Sequence, residues 1–364
     1  MKVLILSCST GGGHNKCASY IEEELICNNI ECEFKDFYKI VNNSKPDIAS
    51  SLYLYSVKGN GASFKYIYKL GELYNKTNVK SPVYLVNKLH AKALKEYILD
   101  NNFSLVITTH LYPALTLTSI NEKEHIIDFI HVSTDYECAP FTNEVDANYI
   151  VIPKELKERC IEKKIDPSKL KELGIPVSTR FIKDAKNIKS NFVNNSDRLI
   201  LVMLGSMGFG NVIDIIKSVC TIDNAKVVVI CGNNKDLKAK LETLNINNLI
   251  PLGFVNNIND LIYSSDIVLS KPGGLSSTEI SSLNKPLIHI NPIPGIENYN
   301  ATFFCKRGMS IICRNNDDIV SNIEKLLTDK ELYNNMVLSD KKYMSEVGIE
   351  KLIDLIKSME GKKV

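Results

Sequence analysis

The stretch "KVLILSCSTGGGHNKCASYIEEEL", residues 2–25, decides how the rest of the chain is read. An unbroken β-rich run, "KVLIL", is followed by three consecutive glycines, a histidine at 14, and a segment with helical patterning. A buried strand that turns through glycine into a helix is the opening unit of a parallel α/β sheet. Glycine lets the backbone turn sharply and approach a ligand. The start of a helix presents free N–H groups and positive potential. No Gly-Lys-Ser/Thr follows, so the loop is not a P-loop, and it does not match the dinucleotide GxGxxG pattern.

Outward from this unit the alternation continues. "ECEFKDF", "LVITTH", "IDFIHVSTD" and "NYIVIP" read as the next strands. Residues 178–197 are polar without strand character and read as a linker. The pattern then restarts with "RLILVMLGS", "KVVVICG", "LIPLGFV", "DIVLSKPGG", "PLIHINP" and "SIICR", separated by helix-length segments. The expected fold is therefore α/β, with two doubly wound Rossmann-like domains facing across a cleft, where such sheets bind ligands at their carboxyl ends. The expected boundaries are 1–180 and 181–345, with a terminal helix over 346–364 packing back on the N-terminal domain.

Bulk properties narrow the function. The 364 residues suit two domains, and a formal net charge of +2 argues against a dedicated nucleic-acid binder. The ten cysteines form no CxxC pair, which leaves zinc ribbons and thioredoxin-type sites without support. No apolar run approaches the ~18 residues needed to cross a bilayer, and no secretion leader is apparent, so a cytoplasmic protein is expected. Residues 58–95 stand apart. Lys58, Lys65, Lys69, Lys76, Lys80, Lys88, Lys92 and Lys95 face a single acid, Glu72, and are interleaved with Tyr66 and other aromatics. Lysines attract anionic headgroups and aromatic rings suit the water–hydrocarbon boundary, so this stretch is expected to dock on a membrane surface. A solvated helical face with tyrosines packed inward is the alternative.

Three glycine turns carry the candidate chemistry. The first holds Gly12, Gly13 and His14. The second, "GSMGFGN", opens the second domain with Gly205 and Ser206. The third is "LSKPGGLSSTE", where a strand ends at Lys271 and a helix is expected from Leu275, with Ser276, Ser277 and Thr278 available for capping. Glu279, expected in its first turn, suits a ribose diol or a capping box. "PGIENYNA" then offers Glu297, Asn298 and Asn300 to sugar hydroxyls. Asp135 ends the strand in "IHVSTDYECAP" and is expected to project into the cleft. It is placed to act as a general base, with His14 as rival base or orienting partner. His110 is read as satisfying local backbone groups and His131 as a core residue. No cluster of metal-ligand spacing is present.

Taken in order, "GGGH", "VSTDY", "GSMG", "GFV", "KPGGLSSTE" and "PGIENYNA" resemble the diacylglycerol glycosyltransferases. These are the monogalactosyldiacylglycerol synthases and processive diacylglycerol glucosyltransferases, relatives of the peptidoglycan N-acetylglucosaminyltransferase. The resemblance spans most of the chain. It implies a GT-B fold, a UDP-glucose or UDP-galactose donor, a diacylglycerol or glycosyldiacylglycerol acceptor, inversion at the anomeric carbon, no metal cofactor, and a peripheral place on the inner face of the cell membrane. A polyprenyl-linked acceptor, or a non-catalytic nucleotide-sugar regulator, is the alternative. By position, Gly273, Gly274, Leu275 and Ser276 should contact the donor phosphates, Glu279 the ribose, Phe254 and Val255 the uracil, and Glu297 the hexose. Where these sequences usually have Pro-Gly-Gln-Glu, this chain has Pro294-Gly295-Ile296-Glu297.

Overall fold

The computed structural model describes residues 1–9, 12–41, 79–122, 124–193, 197–204, 212–290, 292, 295–344 and 348–360. The chain divides into two compact units. One comprises Met1–Thr179, Pro294–Ile296 and Val347–Val364; the other comprises Arg180–Ile293 and Glu297–Glu346.

The first unit is built on six parallel strands: β1 (Lys2–Ser7), β2 (Glu31–Asp36), β3 (Leu105–Thr108), β4 (Phe129–Val132), β5 (Tyr149–Ile152) and β6 (Leu170–Glu172). Their spatial order is β2-β1-β3-β4-β5-β6. The second unit repeats the plan with β7 (Arg198–Met203), β8 (Ala225–Ile230), β9 (Leu249–Leu252), β10 (Ile267–Ser270), β11 (Leu287–Ile290) and β12 (Ser310–Cys313), in the order β12-β11-β10-β7-β8-β9. Central strands are buried on both faces, which is why they read as unbroken apolar runs. Val3, Leu4, Ile5 and Leu6 of β1 are fully buried, as are Leu199–Val202 of β7. The short β6 was not legible as a strand, because "LKE" has no apolar alternation; it is an edge, held by pairing with β5.

In each sheet the winding direction reverses once, between β1 and β3 and between β7 and β10. At such a switch point two crossover connections leave in opposite directions, and the carboxyl strand ends border an open crevice. The first glycine loop follows β1, and Lys271–Gly274 follows β10.

The 178–197 stretch is more structured than a linker. It contains a helix, Thr179–Lys183, with Phe181 buried, and a 3-10 turn, Lys189–Asn191. Backbone N–H groups of Lys186 and Ile188 donate to Asp260 and Ser264 at 2.7 Å, and Lys189 pairs with Asp266 at 2.6 Å. Polar side chains concealed this, because the partners lie about 75 residues away in sequence.

The terminal helix, Gly348–Glu360, belongs to the first unit. Its buried stripe of Ile349, Leu352, Ile353 and Ile356 has amphipathic helical spacing and packs on the helix Gly12–Cys27. Each such side chain stabilises the fold by roughly 1.5–3 kcal/mol. Lys357 bonds Asn28 at 2.9 Å, and the amino terminus pairs with Glu360 at 2.9 Å. Entry to the helix is constrained at Gly348, where an added Cβ would lie 2.3 Å from the Leu173 carbonyl oxygen and 3.0 Å from that of Gly174. Gly348→Ala is therefore expected to cost about 1–3 kcal/mol of stability, measurable as a lower urea midpoint. An unchanged midpoint would mean that this crossing yields at no cost.

Candidate functional site

In the first unit the site grows from the carboxyl ends of β1, β3 and β4. The helix Gly12–Cys27 begins within the glycine run, so His14 sits in its first turn. The preceding loop is anchored by Asp36 at the end of β2. Its carboxylate accepts bonds from the Ser9 backbone N–H at 2.9 Å, from the Ser9 hydroxyl, and from the Tyr38 N–H at 2.9 Å. The Asn15 amide also donates to the Ser9 hydroxyl, at 3.1 Å. Sequence reasoning missed Asp36. The signal was its place at the end of the strand beside β1, which only the strand order supplies.

His14 Nδ1 lies 2.8 Å from the Thr109 carbonyl oxygen, just past β3, and 2.8 Å from the Thr134 hydroxyl, just past β4. The Thr109 hydroxyl donates back to the His14 carbonyl at 3.1 Å. The His14 ring meets that of His110 edge-on, with centroids 4.8 Å apart. His110 caps the helix Leu111–Asn121, its Nδ1 accepting the Tyr112 N–H at 3.2 Å. Burial, then the neighbouring His14 and His131, hold His110 well below the usual histidine range. His131 is buried on β4 against the Thr108 hydroxyl at 3.0 Å, and burial pushes it down to about 4. Both rings are therefore uncharged at neutral pH.

His14, His110, His131, Thr134 and Asp135 line one cavity of about 200 Å3, whose remaining wall includes the apolar Val83, Leu111 and Phe141. Asp135 is half-buried in the loop after β4. That loop is pinned further along by the buried carboxylate of Glu137, which pairs with Lys163 at 2.6 Å and Arg159 at 3.2 Å. Gly12 and Gly13, which the family resemblance implies lie in a loop on the acceptor side, are exposed at the helix start.

In the second unit the turn after β10 is tight: the Gly273 N–H donates to the Lys271 carbonyl at 2.8 Å. The helix Gly274–Ser282 begins one residue before the expected Leu275, with Gly273 as N-cap and no side chain capping it. Its first-turn N–H groups, including those of Leu275 and Ser276, are thus open to an anion. Ser277 and Thr278, expected to be available for capping, are engaged elsewhere. Thr278 bonds back to the Gly274 carbonyl at 2.7 Å, and Ser277 meets His289 Nε2 at 2.9 Å. Glu279 is the sixth helical residue, not a first-turn one, and it is buried, so the capping-box reading is excluded by position. Lys271 is half-buried and held below the usual lysine range by desolvation, with Glu297 opposing that shift. Asn300, fully buried, donates to the Pro272 carbonyl at 3.0 Å and so ties the helix Ile296–Lys306 to the same turn. Asn298 is exposed, and Phe254 presents an aromatic ring that is 68% exposed beside the half-buried Val255. The structure thus brings Lys271, Gly273, Gly274 and Glu297 to one place. Gly205 and Ser206 lie outside the described residues, as do Lys58, Lys65, Tyr66, Lys69 and Lys76. Among the described residues, no group of three or more His, Cys, Asp or Glu side chains could hold a metal ion.

Solved structures share this architecture. MurG from Acinetobacter baumannii matches with a TM-score of 0.63 at 12% identity, covering 98% of this chain and 99% of that one. The spinosyn rhamnosyltransferase SpnG matches at 0.70 with 11% identity over 98% and 100%. These define the GT-B glycosyltransferase fold. Residues 14–177 match the monogalactosyldiacylglycerol synthase family model, and residues 199–356 match the C-terminal domain of glycosyltransferase family 28. The processive diacylglycerol beta-glucosyltransferase of Bacillus pumilus is 29% identical over 97% of this chain and 94% of its own length. That of Bacillus subtilis is 27% identical over 100% and 97%. Through these two family models and full-length relatives the chain is similar to the diacylglycerol glycosyltransferases.

One scaffold residue beneath the helix Gly274–Ser282 has a pH signature. His289 is fully buried between Ser277 and Ser310, at 2.9 and 3.0 Å, and burial pushes it down to about 3. An unfolded chain binds this proton near pH 6.5, whereas the folded one resists it to about 3. Its contribution to stability is therefore complete above pH 6.5 and is lost progressively as pH falls toward 3. His289→Asn is expected to be less stable throughout, by about 1–3 kcal/mol, but to lose less on acidification than the parent. Parallel stability–pH curves for the two proteins would refute the buried neutral ring.

Proposed function

We propose that this enzyme transfers a hexose from a UDP-sugar to diacylglycerol, with inversion at the anomeric carbon, forming membrane glycolipid. Glucose is the favoured sugar, because the curated relatives are named glucosyltransferases. The observation that carries the reading is the open helix start at Gly273–Gly274 beside Lys271, in the half of the chain that matches the family 28 domain. An uncapped helix N-terminus with a neighbouring ammonium favours a departing diphosphate. Incubation with diacylglycerol vesicles and either UDP-glucose or UDP-galactose, followed by lipid mass spectrometry, tests it. A hexosyl lipid from UDP-glucose is expected. No product with either donor would defeat the reading.

The acceptor hydroxyl is a poor nucleophile until its proton has a destination. His14 serves as that base in this proposal, with Asp135 in the same cavity orienting the hydroxyl. What favours His14 over Asp135 is its Nδ1 contact with a carbonyl oxygen, which leaves the Nε2 lone pair for the acceptor. His14→Ala should lower the single-turnover rate about 100-fold or more, and Asp135→Asn about tenfold, with UDP affinity nearly intact in both. If Asp135→Asn is dead while His14→Ala transfers at the parent rate, the two roles exchange.

Leaving-group charge falls to the helix start and Lys271, so the reaction is proposed to need no metal. Full turnover in excess chelator is expected; a loss restored by magnesium or manganese would count against this.

Docking on the inner membrane face is also proposed. No helix among the described residues is long and apolar enough to cross a membrane. Lys80 precedes and Lys88 ends the short helix Pro82–Lys88, on and around which Leu85, Val79 and Leu89 are exposed. Replacing four of the 58–95 lysines with glutamine should lower binding to anionic vesicles by roughly 1 kcal/mol each. Sedimentation indifferent to those changes and to salt would make the segment an ordinary solvated face.

A further inference from the structure

Three strand ends meet on one imidazole ring. His14 comes from the helix after β1, Thr109 follows β3 and Thr134 follows β4. Thr109 and Thr134 are both buried. The Thr109 carbonyl oxygen carries no hydrogen, so at 2.8 Å the proton between it and Nδ1 must sit on the nitrogen. The Thr134 hydroxyl oxygen, also at 2.8 Å, then receives the same N–H as a second acceptor. A ring held by one acceptor can still swivel about its Cβ–Cγ bond, exchanging Nδ1 for a carbon. Two acceptors on different strand ends remove that freedom. The two nitrogens lie on different sides of the ring, so committing Nδ1 to the strand ends turns Nε2 away from them. The ring itself borders the cavity that Asp135 also lines.

We propose that Thr134 is a positioning residue which, together with the Thr109 carbonyl, holds His14 as its Nδ1–H tautomer and presents a bare Nε2 to the acceptor hydroxyl. The proposal rests on the reading of His14 as the base. In the transfer, the bond from the acceptor oxygen to the anomeric carbon forms as its O–H bond breaks, and the proton passes to Nε2. The bond from the anomeric carbon to the diphosphate oxygen breaks, and its electron pair leaves with UDP. Nδ1 keeps its hydrogen throughout, and the cation that forms is met by two oxygens already in place. In serine hydrolases a carboxylate does this for the histidine; here a peptide carbonyl and a hydroxyl take that position. Thr134 precedes Asp135, so the same contact sets the separation of the two groups that share the cavity. A β-branched side chain suits the task, since its χ1 is restricted and its hydroxyl is fixed in direction.

The test begins with the spectrum of the native protein, which no variant can confound by misfolding. Long-range proton–nitrogen correlation on protein labelled with 15N-histidine reports which ring nitrogen is protonated, and His14→Gln identifies the signals. A protonated Nδ1 with a bare Nε2 on His14 is expected; the opposite tautomer overturns the proposal whatever the activity. Thr134→Val, which keeps the shape and removes the acceptor, should lower kcat about tenfold, leave KM for the UDP-sugar unchanged and admit the second tautomer into the spectrum. Thr134→Ser should recover most of the rate and the single tautomer. Parent-like kcat and an unchanged spectrum in the valine variant overturn the role of Thr134. Turnover of His14→Gln at the parent rate defeats the base assignment instead, and the two failures are distinguishable because the tautomer is read without turnover.

Discussion

The chemistry of this molecule depends on one constraint, the parallel pairing of β1 with β3 in register, Val3 opposite Leu105 through Leu6 opposite Thr108. It brings residues a hundred positions apart to the same sheet end. The Thr109 N–H then bonds the Leu6 carbonyl at 3.0 Å, and the carbonyl of Thr109 is left facing the helix that begins at Gly12. A shift of the pairing by one residue would invert every side chain and remove His14's partner. Full burial of Val3–Leu6 and of Leu105–Ile107 makes such a slip costly. Packing of these strand residues therefore specifies the geometry of a polar contact that contains none of them.

The second unit solves the same problem with different material. β7 and β10 are neighbours at its winding reversal, and the chain leaving β10 turns at once into a helix through Pro272, Gly273 and Gly274. Polar groups under that helix are satisfied from behind. His289 joins Ser277 to Ser310, and Asn300 holds the Pro272 carbonyl. With its underside fixed and its first turn uncapped, the helix keeps its free N–H groups in a set direction. Preorganised donors of this kind stabilise developing charge without reorganising, which is the larger part of what a site without a nucleophile can contribute.

Charge is used sparingly and in pairs. Glu137, buried two residues beyond Asp135, is paired with Lys163 and with the more exposed Arg159, and losing those partners would strand its charge. His110 and His131, by contrast, are kept neutral by burial beside His14. The cavity wall is thus mostly apolar, with His14, Asp135 and the salt-bridged Glu137 beside two rings that carry no charge at neutral pH. An apolar pocket with a few convergent polar groups suits an acceptor whose hydroxyl sits next to hydrocarbon.

Most of the fold was legible along the chain. Eleven of the twelve strands among the described residues were read along the chain, most of them as apolar runs, and a glycine turn follows a strand at each winding reversal. Six motifs in order, from "GGGH" to "PGIENYNA", carried the family resemblance. Local pattern could not supply partners. Asp36, Thr109 and Thr134 hold the first site, yet their contacts with it do not show in sequence, since a threonine or aspartate after a strand is an ordinary loop residue. The second-turn position of Glu279 and the packing of 178–197 were hidden for the same reason: each turns on hydrogen bonds whose other half lies elsewhere in the chain. Sequence determined which segments become strands, turns and helices, because those follow from burial periodicity and backbone freedom. Only the tertiary structure decided which nitrogen of His14 carries the proton, because that depends on a carbonyl oxygen 95 residues away which strand pairing alone brings within 2.8 Å.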